Sequence, residues 1–127
     1  MKQGQRYTGM QFEVPKIVKK TIAIDFDGTI VENAYPGIGR PIPEVVSFIK
    51  RHRRKYVWIL WTCRTGSKLE DAVEYLRSIG ITMDYVNENT KEHTDRFGED
   101  SRKVYADYYI DDRNACLGSI KVQYLER

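Results

Sequence analysis

Three short apolar runs, each closing on polar residues, organise the chain. Thr21-Ile22-Ala23-Ile24 leads into Asp25-Phe26-Asp27-Gly28, Tyr56 to Trp61 ends at Thr62, and Asp107-Tyr108-Tyr109-Ile110 ends at Asp111-Asp112. Their apolar character is continuous rather than alternating, which predicts strands buried on both faces, as in a parallel sheet. Between the runs the spacing turns helical. Leu69, Ala72, Val73, Leu76 and Ile79 share one face, and the pattern predicts a helix opened by a Ser67/Glu70 capping box and stopped at Gly80. An earlier helix is expected from Pro43, a first-turn proline, to about Lys55, with Val45, Val46 and Ile49 inward. A short strand, Met83 to Val86, follows the second helix. Strand, helix, strand, helix, strand is the order of an open α/β sheet with right-handed crossovers.

Two segments stand outside this scheme. Residues 1–20 are polar and basic, with only Phe12, Val14, Ile17 and Val18 able to pack, and read as an extension able to add an edge strand. Asn87 to Arg102 is polar without a clear period, the pattern of a functional or disordered loop. Residues 21–127 are expected to form one domain, because no repeat or linker divides them.

Composition narrows the classes. At 127 residues, 41% hydrophobic and 31% charged, the chain suits one globular domain with a small core. No apolar run approaches the ~18 residues of a membrane span. The first twenty residues lack the apolar segment of a secretory signal. Cys63 and Cys116 make neither a disulfide framework nor a metal-binding pair, which favours a reducing, cytoplasmic setting. A net charge of +3 permits an anionic substrate without requiring nucleic acid.

The chemistry lies at the strand ends. In open parallel sheets ligands bind outside the carboxyl ends of the strands. Here those ends carry Asp25 and Asp27, Thr62, and Asp111 and Asp112. Carboxylates gathered on one rim repel one another. A hard cation with oxygen ligands relieves that repulsion, and Mg2+ is the natural candidate because it accepts a few carboxylates and keeps waters and phosphate oxygens. A carboxylate is also a competent covalent nucleophile.

With these residues in view, the sequence resembles the haloacid dehalogenase (HAD) superfamily. Asp25-Phe26-Asp27-Gly28-Thr29-Ile30 after an apolar strand is similar to its first motif, Trp61-Thr62 to its second, Lys103 to the lysine of its third, and Tyr109-Ile110-Asp111-Asp112 to its acidic fourth. The four occur in the family's order and span roughly residues 20 to 114. Ser101-Arg102-Lys103 with Ile110-Asp111-Asp112-Arg113-Asn114 resembles small bacterial and phage hydrolases of that superfamily, and Asp-Asp-Arg also resembles its deoxyribonucleotidase branch.

The resemblance implies a Rossmann-like three-layer α/β/α sandwich with a mostly parallel central sheet, and a Mg2+-dependent phosphomonoester hydrolase. Asp25 would be the nucleophile and Asp27 the general acid/base. Phe26 would point into the core. Gly28 and Thr29 would let the chain turn beneath the phosphate, Thr62 would hydrogen-bond a phosphoryl oxygen, and Lys103 would neutralise developing charge. Mg2+ would be held by Asp25, the backbone carbonyl of Asp27, and an acid of the Asp111/Asp112 pair, with Asp112 favoured as the direct ligand and Asp111 as its partner. Neither Thr29–Lys55 nor Thr62–Lys103 has room for a cap domain, so the site is expected to be open, with the loop Glu32–Arg40 and the 87–102 loop as substitutes for a lid. An open site makes a phosphorylated macromolecule as fitting a substrate as a small molecule, and makes self-association into a homo-oligomer worth testing.

Plainer readings stand beside these roles. Arg64 reaches the phosphate or is a surface arginine. Cys63 is placed to touch the substrate as a small buried residue rather than a nucleophile. Lys50-Arg51-His52-Arg53-Arg54-Lys55 invites a nucleic-acid reading, yet basic residues in a helix's last turn also complement its dipole. His52 and His93 read as surface residues, and Tyr105, Tyr108 and Tyr109 as sheet packing. The rivals to a general phosphomonoesterase are a nucleotide or polynucleotide-end phosphatase and a catalytically silent binding module of the same fold.

Overall fold

The computed structural model describes residues 19–113. Most of the basic extension, Cys116 and Asn114 lie outside the described residues. The chain runs β1 (Thr21–Ile24), α1 (Pro43–Arg51), β2 (Val57–Leu60), α2 (Gly66–Ser78), β3 (Tyr85–Val86), α3 (Lys91–Phe97) and β4 (Tyr108–Ile110). The four strands form one sheet in the order β3-β2-β1-β4, with every pairing parallel. This is the Rossmann-like α/β architecture expected from the alternation. Among the described residues no helix is long and apolar enough to cross a membrane.

The continuous apolar runs have their explanation in the two faces of β1 and β2. Ile22, Ile24, Trp58 and Leu60 join Phe26, Ile49, Ala72 and Leu76 in the main core, so α1 and α2 both cover that face. Ala23 and Ile59 point the other way, to a smaller cluster completed by Val104 and Ala106, with Tyr85 and Tyr109 packed against it. Period-2 alternation thus feeds two cores, and a strand buried on both sides has no polar position to spare.

Several boundaries differ from expectation. Helix α1 ends at Arg51 rather than near Lys55: the His52 carbonyl accepts from the Lys55 N–H and the Trp58 indole, which turns the chain towards β2. The Ser67/Glu70 capping box does not form, because α2 begins two residues earlier than that box requires, at Gly66, with Thr65 in the N-cap position. The Gly80 stop does form. Gly80 has φ +87°, its N–H donates to the Arg77 carbonyl, and the N–H of buried Ile81 donates to the Leu76 carbonyl, a Schellman ending.

The largest difference is α3, which lies inside the segment expected to be a loop. Thr90 caps it by accepting the His93 N–H, and Gly98 closes it with φ +85°. No residue of α3 is buried, so it has no apolar stripe from which to be read.

Candidate active site

The parallel ladder continues one residue past each strand and so fixes the rim. Asp25 N–H donates to the Ile110 carbonyl, Trp61 N–H to Ile24, and Asn87 N–H to Leu60. Residues following β1, β2 and β4 therefore share one edge of the sheet, where a cavity of about 660 Å³ opens. Asp25, Asp27, Thr62, Arg64, Asp111 and Arg113 line it, with Tyr35, Trp61, Cys63 and Asn33.

After β1 the chain folds into a tight turn. The N–H groups of Thr29 and Ile30 both donate to the Phe26 carbonyl, and Gly28 N–H donates to Val31. Phe26 is fully buried, as the alternation requires. Gly28 has φ +85°, and a Cβ there would lie 2.3 Å from Oδ2 of Asp112. Only glycine accommodates both the backbone conformation and the carboxylate. Thr29 is buried, and its Oγ1 accepts the Asp112 N–H at 3.1 Å, so the turn after β1 and the end of β4 are tied together.

Oxygens of Asp25, Asp111 and Asp112 all lie within 4.8 Å of one another. Burial pushes the Asp25 carboxyl up to about 6, aided by repulsion from Asp111, Asp112 and Asp27 and opposed by the Phe26 N–H that donates to its Oδ1 at 2.8 Å. Three oxygen donors this close, one of them half-buried and resisting ionisation, fit a hard divalent cation. Asp111 faces the cavity while Asp112 is pressed against Gly28, and both reach Asp25.

Arg64 is not a surface arginine: it is 2% exposed. Its Nε and Nη2 donate to the two oxygens of Asp27, each at 2.7 Å. The remaining donors reach the carbonyls of Gly37 (2.6 Å), Lys68 (3.2 Å) and Pro36 (3.4 Å). The guanidinium carbon lies 5.1 Å from the ring centroid of Phe26 and 5.0 Å from that of Tyr35. Hydrogen bonding to Asp27 raises the guanidinium pKa above its ordinary value. A buried arginine with this many partners is a structural cross-brace between the turn after β1, the loop at Pro36 and Gly37, and the first turn of α2.

Thr62 is held from both sides. Its N–H donates to Oδ1 of Asn87 at 2.8 Å and its Oγ1 accepts the Arg64 N–H at 3.2 Å, and the residue lines the cavity. Asn87 has φ +53°, a conformation asparagine tolerates, and its side chain also donates to the Arg64 carbonyl. Asn89 is buried and bridges Asp100, the Ser101 carbonyl and the Tyr105 N–H. The polar segment after β3 therefore works as a bracket.

Of the residues singled out in the sequence, Asp25, Asp27, Thr62, Cys63, Arg64 and Asp111 meet at the cavity, with Asp112, Gly28 and Thr29 directly behind. Cys63 is exposed, not buried. Lys103 is not among the residues that line the cavity: it is exposed, and its carbonyl accepts the Ser101 hydroxyl. Tyr105 and Tyr108 are about half exposed. Tyr105 stacks on His93 instead of packing into the sheet. The sequence placed Asn33 and Tyr35 only within the Glu32–Arg40 loop, and Trp61 and Arg113 only within the motifs, and named none of the four as a site residue. Trp61 and Arg113 were visible as immediate neighbours of Thr62 and Asp112, whereas Asn33 carries no pattern beyond its place in that loop.

No family model and no curated protein matches the chain. A solved structure of a conserved protein from Bacteroides thetaiotaomicron is similar to it, with 39% identity over 87% of this chain and 93% of that one and a TM-score of 0.67.

Proposed function

The chain belongs to the same family as the conserved Bacteroides thetaiotaomicron protein, and we propose that it is a Mg2+-dependent phosphomonoester hydrolase working through an aspartyl-phosphate. The observation that carries this reading is the convergence of Asp25, Asp111 and Asp112 within 4.8 Å, at the carboxyl ends of parallel strands and open to a cavity. Asp25, Asp112 and the Asp27 carbonyl, with Asp111 beside them, are the groups that would hold Mg2+, which would screen the carboxylates from an incoming phosphate.

One oxygen of Asp25 is occupied by the Phe26 N–H. The other is the nucleophile. It forms a bond to phosphorus as the ester P–O bond breaks, and Asp27, which must enter this half-reaction carrying a proton on an oxygen freed from Arg64, gives that proton to the departing alkoxide. Thr62 donates its hydroxyl hydrogen bond to a phosphoryl oxygen. In the second half, Asp27 takes a proton from a water that attacks phosphorus, and the bond to Asp25 breaks to release inorganic phosphate. Asp27 must release one oxygen from the Arg64 fork, or use its second lone pair there, to move that proton.

The test is phosphate release from an aryl phosphate by wild type and Asp25→Asn, each with and without Mg2+. Release that requires both Mg2+ and Asp25 is expected. Undiminished release by folded Asp25→Asn overturns the reading.

A further inference from the structure

Aromatic rings left in water forgo the stabilisation of burial, so rings held rigidly at the mouth of a site call for an occupant. Tyr35 is 55% and Trp61 36% exposed, and both line the cavity that holds Asp25 and Thr62. Each is braced from behind. The Tyr35 ring lies against the guanidinium of Arg64, which is immobilised by its hydrogen bonds to Asp27 and three carbonyls, and the Tyr35 N–H donates to Oδ1 of Asn33. Trp61 continues the sheet ladder through its N–H to Ile24, and its ring leans on Tyr109 with centroids 5.4 Å apart. The outer surfaces of both rings are left for a ligand, with Asn33 and Arg113 adding polar groups beside them. The volume of about 660 Å³ falls in the range of small-molecule sites.

We propose that the organic part of the substrate is a flat heteroaromatic ring system, as in a nucleoside monophosphate, seated against Tyr35 and Trp61 while its phosphate reaches Asp25 and Thr62. This rests on the phosphomonoesterase reading for the placement of the phosphate. The rings alone account for the preference. A base stacked on an aromatic side chain gains affinity through its π-face, whereas an aliphatic sugar offers no such face.

The test compares adenosine 5′-monophosphate with ribose 5-phosphate, which present the same phosphate ester and differ by the base. Equilibrium binding is measured by calorimetry to Asp25→Asn in Mg2+, so that turnover does not intervene. Binding of the nucleotide about tenfold tighter or more, with the ratio falling towards one in a background that also carries Tyr35→Leu and Trp61→Leu, is expected. Both rings are exposed, and retention of the melting temperature checks that the leucine variant is folded. Equal affinities, no binding of either ligand, or a ratio that survives the leucine substitutions overturns the ring subsite. Tight nucleotide binding without phosphate release from any ester by wild type sinks the hydrolase reading and leaves the subsite standing. Release from both esters with equal affinities does the reverse.

Discussion

Arg64 and Asp27 face each other through a two-point ion pair, both N···O distances 2.7 Å, with the arginine sealed from solvent. The pair joins the carboxyl proposed to move protons to the loop that carries Tyr35. Arg64 is thereby a positioning residue: it acts through Asp27, whose two oxygens it holds, and sets the direction of that carboxyl.

Replacing it should separate geometry from charge. Arg64→Lys keeps the cation but loses the fork and leaves the Gly37 and Pro36 carbonyls without their donor. We expect kcat to fall about 100-fold with a smaller change in KM, as misaligned acid/base groups do. Arg64→Met should also lower stability, by about 3 kcal/mol, because a buried pair is broken on one side. Steady-state kinetics and urea unfolding provide the check. Wild-type kcat and stability in Arg64→Lys would contradict the brace.

The raised Asp25 carboxyl predicts a stability change with pH in metal-free protein. Its folded value, about 6, lies above the ordinary 3.8. Between those values the folded state binds more protons than the unfolded, so stability falls as pH rises from about 4 through 6. Above pH 6 the ionised cluster is at its most strained. Asp25→Asn should therefore melt higher than wild type near neutral pH without Mg2+, by about 4 °C, and the difference should shrink near pH 4. Adding Mg2+ should raise the wild-type melting temperature more at neutral than at acid pH. A metal-free melting temperature that climbs from pH 4 to 7 faster in wild type than in Asp25→Asn would count against this electrostatic account.

Two glycines with the same φ of +85° make an internal control. Gly98 meets nothing within 4 Å of a built Cβ, whereas Gly28 meets the Asp112 carboxylate. Gly98→Ala should lose about 1 kcal/mol to backbone strain and keep its activity. Gly28→Ala carries the same strain and must also displace Asp112, so Mg2+ affinity and kcat/KM should each fall at least about tenfold. Calorimetric titration with Mg2+ resolves the two. Equal Mg2+ affinity in both variants would separate Asp112 from the metal site.

The rim was legible in the sequence because each chemical residue directly follows an apolar run, and parallel strands end on one side. Arg64 was not legible, since its partners Asp27, Pro36 and Gly37 lie 37, 28 and 27 positions away and only the fold brings them near. Helix α3 escaped because periodicity reports burial and α3 buries nothing, although Thr90 and Gly98 carried its start and stop. Lys103 was placed by motif order alone, which specifies sequence and not where a long exposed side chain points. The start of α2 escaped the capping rule because Thr65 occupies the N-cap position without a side-chain cap hydrogen bond and is followed by Gly66 with φ +55°.

The most direct test of the central claim is to trap the covalent intermediate. Wild-type protein mixed with Mg2+ and an aryl phosphate is quenched in acid within one turnover and digested, and its peptides are weighed by mass spectrometry. The account predicts one added phosphoryl group on the peptide containing Asp25, removed by hydroxylamine and absent in Asp25→Asn. Multiple turnovers of phosphate release with no phosphorylated Asp25 peptide at any quench time, or a phosphoryl group on another residue, would contradict it.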